Sequence, residues 1–183
     1  DVAERLLLRQ KLGLQQDEVI FAFVGNIVER KGVDFLVRAW REVQRQQPKA
    51  RLLLVGQRTM PKTFRDSQLQ EEHREFERRL EKALESLHPE SLPVLFQPPV
   101  ERVEDWLRAS DAFLFPSYCE GLPNALIEAM ACGLPAVTAP FAGLPLDGFE
   151  LGRRGQEFLL VPHDEQEWTR TICGLASSET RRH

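Results

Sequence analysis

Two carboxylates, Glu120 and Glu128, bracket a glycine turn and the start of an apolar stretch, EGLPNALIE. Proline fits the first turn of a helix, where its missing N–H costs nothing, so Pro123 marks a helix start. Such a start leaves backbone donors unpaired and carries partial positive charge. The donors free for an anion are those of Asn124 and Ala125, with Gly121 and Leu122 just outside the helix; a diphosphate suits them. The carboxylates would be repelled by phosphate and need other partners. A carboxylate with both oxygens free accepts well from a pair of vicinal hydroxyls, at about 1.5–3 kcal/mol net per charge-assisted bond. Two diols flanking a diphosphate describe a sugar nucleotide. The blander alternative makes Glu120 a solvated turn residue and Glu128 a partner of the helix dipole.

A second candidate lies upstream, in the turn GNIVERKG from Gly25 to Gly32. A glycine at each end lets backbone approach a ligand closely. Lys31, just before a helix begins, can meet phosphate as a point charge beside backbone N–H groups. The alternative is a basic turn with Arg30 and Lys31 facing water. The spacing is neither GxGxxG nor GxxxxGK[ST], so the usual dinucleotide and P-loop patterns are absent.

Both turns need a scaffold. Apolar runs at 19–24 (VIFAFV), 52–55, 94–96, 112–115, 135–138 and 158–161 lack polar alternation, as strands buried on both faces do. Helix-period segments at 33–47, 67–87, 101–109, 124–131 and 164–176 alternate with them. Strand and helix in turn imply βαβ crossovers and an α/β fold, a Rossmann-like doubly wound parallel sheet of about six strands. In such sheets ligands bind beyond the carboxyl ends of the strands, which is where both candidate turns fall. The stretch 66–87 reads as a surface helix with one buried stripe (Leu69, Phe76, Leu80, Ala83, Leu84, Leu87) and solvated charges. Pro140 to Gly155, with four glycines and two prolines, reads as a loop.

Composition narrows the classes. The 183 residues suffice for one domain with a real core. A formal net charge of -4 disfavours a nucleic-acid footprint, and no apolar run approaches a membrane span. Three scattered cysteines, Cys119, Cys132 and Cys173, argue for a reducing compartment and against a disulfide or zinc framework. The cytoplasm is the expected location. His73, His88, His163 and His183 join no Ser-His-Asp set, HExxH or ligand cluster; His163, in a late turn, could reach the pocket but reads first as a satisfied surface histidine.

EGLPNALIE resembles the E-x7-E signature of retaining family 4 (group 1) glycosyltransferases, as do the Pro116-Ser117 before it and the AMACGLPAV after it. GNIVERKG resembles that family's G-R-x-x-x-x-K-G turn, and the similarity runs from Leu12-Gly13-Leu14 to LLVPHD at Leu159 to Asp164. The resemblance implies the C-terminal, donor-binding half of a GT-B fold. Residues 1–183 would form that single domain, with 1–17 as interdomain connection and lead-in and the N-terminal acceptor domain absent. It implies that Glu120 contacts hydroxyls of the transferred sugar and Glu128 those of the ribose. Lys31 would neutralise the diphosphate, helped by the N–H groups of Gly121, Leu122, Asn124 and Ala125. Gln97, Pro98, Pro99 and Val100 would lie against the nucleobase. Glu120 and Lys31 are thus the expected catalytic pair, with a nucleotide sugar as donor and no cofactor or metal. A lysine and helix N–H groups can stabilise the departing diphosphate on their own. The isolated domain would be inactive, and a membrane-associated acceptor would be met through the other domain, placing a longer protein at the inner membrane face.

Two departures stand out. Asn26 occupies the place of the family's usual arginine, so either Arg30 swings in or phosphate affinity drops. From Phe141 to Gly155 the chain keeps only part of the family's GGxPE shape, and Arg153 and Arg154 read as solvated. The alternatives are a GT-B sugar-nucleotide isomerase or epimerase, for which Glu120 is the one acid/base candidate, and a non-catalytic binding module, which Asn26 favours.

Overall fold

Strand and helix alternate along the chain as the apolar runs require. The computed structural model describes residues 2–58, 67–87, 94–143 and 158–178. In chain order the elements are α1 (Val2–Leu12), β1 (Val19–Val24), a 3-10 turn (Glu29–Lys31), α2 (Val33–Gln46), β2 (Ala50–Val55) and α3 (Ser67–Glu85). There follow β3 (Val94–Gln97), α4 (Val103–Ala109), β4 (Ala112–Phe115), α5 (Asn124–Ala131), β5 (Ala136–Thr138), β6 (Phe158–Leu160) and α6 (Glu165–Ser177). All six strands are parallel, in the order β3-β2-β1-β4-β5-β6.

Alternate residues of β1 explain why its run carries no polar position. Phe21 and Phe23 enter one core with Leu36 and Trp40 of α2, Phe76 and Leu80 of α3, and Trp168 and Ile172 of α6. Ile20 and Ala22 enter the opposite core, with Leu8 and Leu12 of α1, Leu107 of α4 and Leu126 of α5. A strand sandwiched in this way must be apolar on both faces. Among the described residues no helix is long and apolar enough to cross a membrane.

The lead-in, residues 1–17, holds the helix α1, packed on α4. Its Arg9 is 2% exposed and meets Asp111 at 2.6 Å, while its Nε donates to the Ala109 carbonyl at 2.9 Å. Asp111 also accepts from the N–H of Ile20 at 2.7 Å, tying α1 to the second residue of β1. A buried guanidinium survives only when its donors are taken in this manner. One reading of the sequence needs correcting, and it concerns α3. Phe76, Leu80, Ala83 and Leu87 are buried as its stripe requires, but Leu69 is 39% exposed. Several of its charges, moreover, are engaged with neighbouring elements rather than solvated, as described below. His88, His183, Arg153, Arg154 and the loop beyond Gly143 lie outside the described residues.

Candidate functional site

The strand order reverses direction between β1 and β4, and the crevice of an open parallel sheet forms at such a reversal, beyond the strands' carboxyl ends. The two turns that leave these strands are Gly25 to Gly32 and Pro116 to Pro123. They carry the two groups singled out above. Lys31 Nζ donates to Glu120 Oε1 at 2.6 Å, with the side chains 14% and 5% exposed. Arg30 Nη1 stands 3.6 Å from the other oxygen of Glu120. Two cations therefore face one carboxylate.

Backbone contacts hold the turns together. Tyr118 N–H donates to the Arg30 carbonyl at 2.9 Å. Gly32 has φ 67°, and a Cβ there would stand 2.2 Å from the Pro116 carbonyl oxygen. Its freedom serves the approach of one turn to the other. Glu120 N–H donates to Ala142 at 2.9 Å, and Ala142 N–H to Tyr118 at 2.8 Å, so the acidic turn is braced by the start of the 140s loop. At Gly143, with φ 97°, a Cβ would come within 2.0 Å of the Glu120 carbonyl oxygen. From the other side, Arg79 of α3 pairs with Glu29 and lies 3.6 Å from Asp34, which Arg38 bonds at 3.0 Å. Arg58 in the turn after β2 is paired with Glu77 and Glu81 of α3, each at 3.2 Å. The charged face of α3 thus fastens two turns at the sheet's carboxyl edge. Sequence reasoning missed this, because interleaved Glu and Arg look alike whether they face water or a neighbour.

The start of α5 differs in detail from expectation. The helix begins at Asn124 with Pro123 as its cap, and the Asn124 N–H is already taken by the Leu122 carbonyl at 2.9 Å. Among the described residues the N–H groups of Gly121, Leu122 and Ala125 have no acceptor, so three of the four expected donors stay open. Glu128 is exposed on α5 and makes no side-chain bond to the Lys31–Glu120 pair. Asn26 is exposed at the β1 exit. Gln97 passes its carbonyl to the Gly56 N–H at 2.9 Å, Pro98 and Pro99 are exposed, and Val100 is half-buried. These four leave β3, two strands from β1 on the same edge, about 10 Å away at the usual strand spacing.

One further group borders the site. His163, in the turn between β6 and α6, places Nε2 2.8 Å from the Pro116 carbonyl oxygen and stacks on Tyr118 with centroids 4.1 Å apart. Burial, then the charge of Asp34, pushes the Tyr118 hydroxyl above its ordinary pKa. A separate groove of about 340 Å³ between α2 and α3 is lined by Arg38, Arg41, Arg79, Lys82, Ser86 and Glu165. Its Arg38 and Arg79 are already paired with carboxylates. Among the described residues no group of three His, Cys, Asp or Glu is gathered as a metal ion would need.

Comparison with known proteins bears on this arrangement. Residues 18–178 match the family model described as glycosyl transferases group 1. The chain is 34% identical over 178 residues to the D-inositol 3-phosphate glycosyltransferase of Rhodococcus erythropolis, covering 94% of this chain and 37% of that protein. The C-terminal domain of a group 1 glycosyl transferase from Francisella tularensis superposes with a TM-score of 0.71 at 21% identity, over 97% of this chain and 85% of that one. HepE of Anabaena, solved in complex with UDP and glucose, gives a TM-score of 0.72 at 21% identity, over 98% of this chain and 44% of that one. The fold is that of the C-terminal domain of GT-B enzymes. The chain spans 37% of the length of the Rhodococcus relative it matches.

Proposed function

We propose a function from a settled starting point: the chain belongs to the group 1 glycosyl transferases. It is the donor-binding domain of a retaining enzyme that moves a sugar from a nucleoside-diphosphate donor to an acceptor hydroxyl. UDP-glucose is the first donor to try, because HepE of Anabaena has been captured with UDP and glucose. The observation that carries the reading is the 2.6 Å contact of Lys31 with Glu120 at the reversal of strand order.

Lys31 and Glu120 satisfy one another. A diphosphate carries more charge on more oxygens than a carboxylate does, so it draws Lys31, and Arg30 behind it, toward the developing leaving group. The open N–H groups of Gly121, Leu122 and Ala125 add donors that need no reorganisation during the reaction. Glu120, relieved of its cation, accepts hydroxyls of the transferred sugar. Glu128 serves the ribose hydroxyls, and Gln97, Pro98, Pro99 and Val100 flank the base. Asn26 contributes an amide hydrogen bond without charge, which leaves Lys31 and Arg30 as the site's cations.

Titration calorimetry with UDP, GDP and ADP tests the reading. At least one should bind, and Lys31→Ala should weaken that binding. Absence of heat with all three at millimolar concentration contradicts it.

A further inference from the structure

We propose that His163 is a positioning residue of this site, fixing the turn after β4 so that Glu120 meets the transferred sugar. The inference rests on the donor-binding reading above.

The partner of His163 Nε2 is a carbonyl oxygen, that of Pro116, at 2.8 Å. A carbonyl only accepts, so Nε2 carries the proton and the tautomer is fixed. The same oxygen is approached by Gly32, where a Cβ would stand 2.2 Å away. Pro116 is therefore packed against the β1 turn and bonded by the β6–α6 turn at once, four residues before Glu120. The imidazole has little freedom to let go. Its face stacks on Tyr118 at 4.1 Å and 16°, and it meets the Phe35 ring edge-on at 5.3 Å. Its backbone is held on both sides: Pro162 accepts from Trp168 Nε1 at 2.9 Å, and Asp164 caps α6 by accepting from Glu167 N–H at 2.8 Å. Tyr118, under the ring, also donates its N–H to Arg30. One side chain thus ties the far edge of the sheet to the peptide that carries the acid. A histidine that merely filled space would need neither the proton on Nε2 nor the stack.

The test separates the ring from the donor. His163→Phe keeps the aromatic face and loses the N–H, whereas His163→Gln keeps an N–H donor and loses the ring. UDP and UDP-glucose are titrated against each variant, and the gain in affinity that the glucose brings is the quantity read. His163→Phe should weaken UDP-glucose about five-fold and leave UDP unchanged, and His163→Gln should restore UDP-glucose to within about two-fold. Equal losses for both ligands, an undiminished glucose gain in His163→Phe, or no rescue by glutamine each overturn the proposal. Glu120→Gln is the control: if it leaves the glucose gain intact, the donor-binding reading fails first. In the unaltered chain, ¹⁵N spectra should show the His163 Nε2–H tautomer shifting with UDP-glucose more than with UDP. The opposite tautomer, or an equal response, counts against the inference even where a variant does not fold.

Discussion

Lys31 and Glu120 sit on turns far apart in the chain, and each offsets the other's charge. That mutual neutralisation makes opposite predictions for two ligands. Lys31→Ala removes a charge-assisted contact and should lower UDP affinity by about ten-fold or more, read by calorimetry. Glu120→Gln frees Lys31 for phosphate but weakens the sugar contact. It should bind UDP more tightly than the unaltered chain and UDP-glucose less tightly; an equal loss for both would contradict the assigned roles. The residue types were legible in the sequence, because turns after strands can be placed from the apolar runs alone. Their contact was not, since it depends on β1 and β4 being neighbours, which linear order does not state. The contacts of His163 are hidden in the sequence for the same reason: its partners Pro116, Tyr118 and Phe35 come from other turns and helices.

The elements themselves were largely readable. A strand buried on both faces leaves an unbroken apolar run, and every such run became a strand. The docking of α1 is less legible, because it runs partly through Arg9, and a charged residue in a polar stretch reads as surface. Asp111→Ala leaves that guanidinium without its carboxylate and the Ile20 N–H without its acceptor. Removing one partner of a buried pair costs about 3–5 kcal/mol, so urea unfolding should show a loss of that size. A loss below about 1 kcal/mol, the value of an exposed pair, would contradict the packing. On α2, side-chain hydrogen bonds from Arg45 first and Gln46 second lower Glu42 to a pKa of about 2. A carboxylate depressed on folding contributes stability that is complete above its unfolded value and is lost as pH falls through the folded one. The Glu42 contribution should therefore fade between about 4.5 and about 2. The group is fully exposed, so the stability involved is slight. Carboxyl NMR titration should find a midpoint near 2 that rises toward 4.5 in Arg45→Ala; a midpoint already near 4.5 contradicts the pairing.

Across the described residues, one edge of the sheet gathers the candidate site while two separate cores hold its faces. The chain spans 37% of the Rhodococcus relative, and we propose that the acceptor is met outside the matched part. The isolated chain should accordingly bind UDP-glucose without consuming it. NMR of the donor over hours should show neither transfer nor a new sugar epimer; an epimer would move the assignment to an isomerase. The most direct test is a crystal structure of the chain with UDP-glucose. The diphosphate should lie within hydrogen-bond distance of Lys31 Nζ and the Gly121 and Leu122 N–H groups, with the glucose hydroxyls on Glu120. Donor bound instead in the arginine groove between α2 and α3, with the Lys31–Glu120 pair untouched, would contradict it.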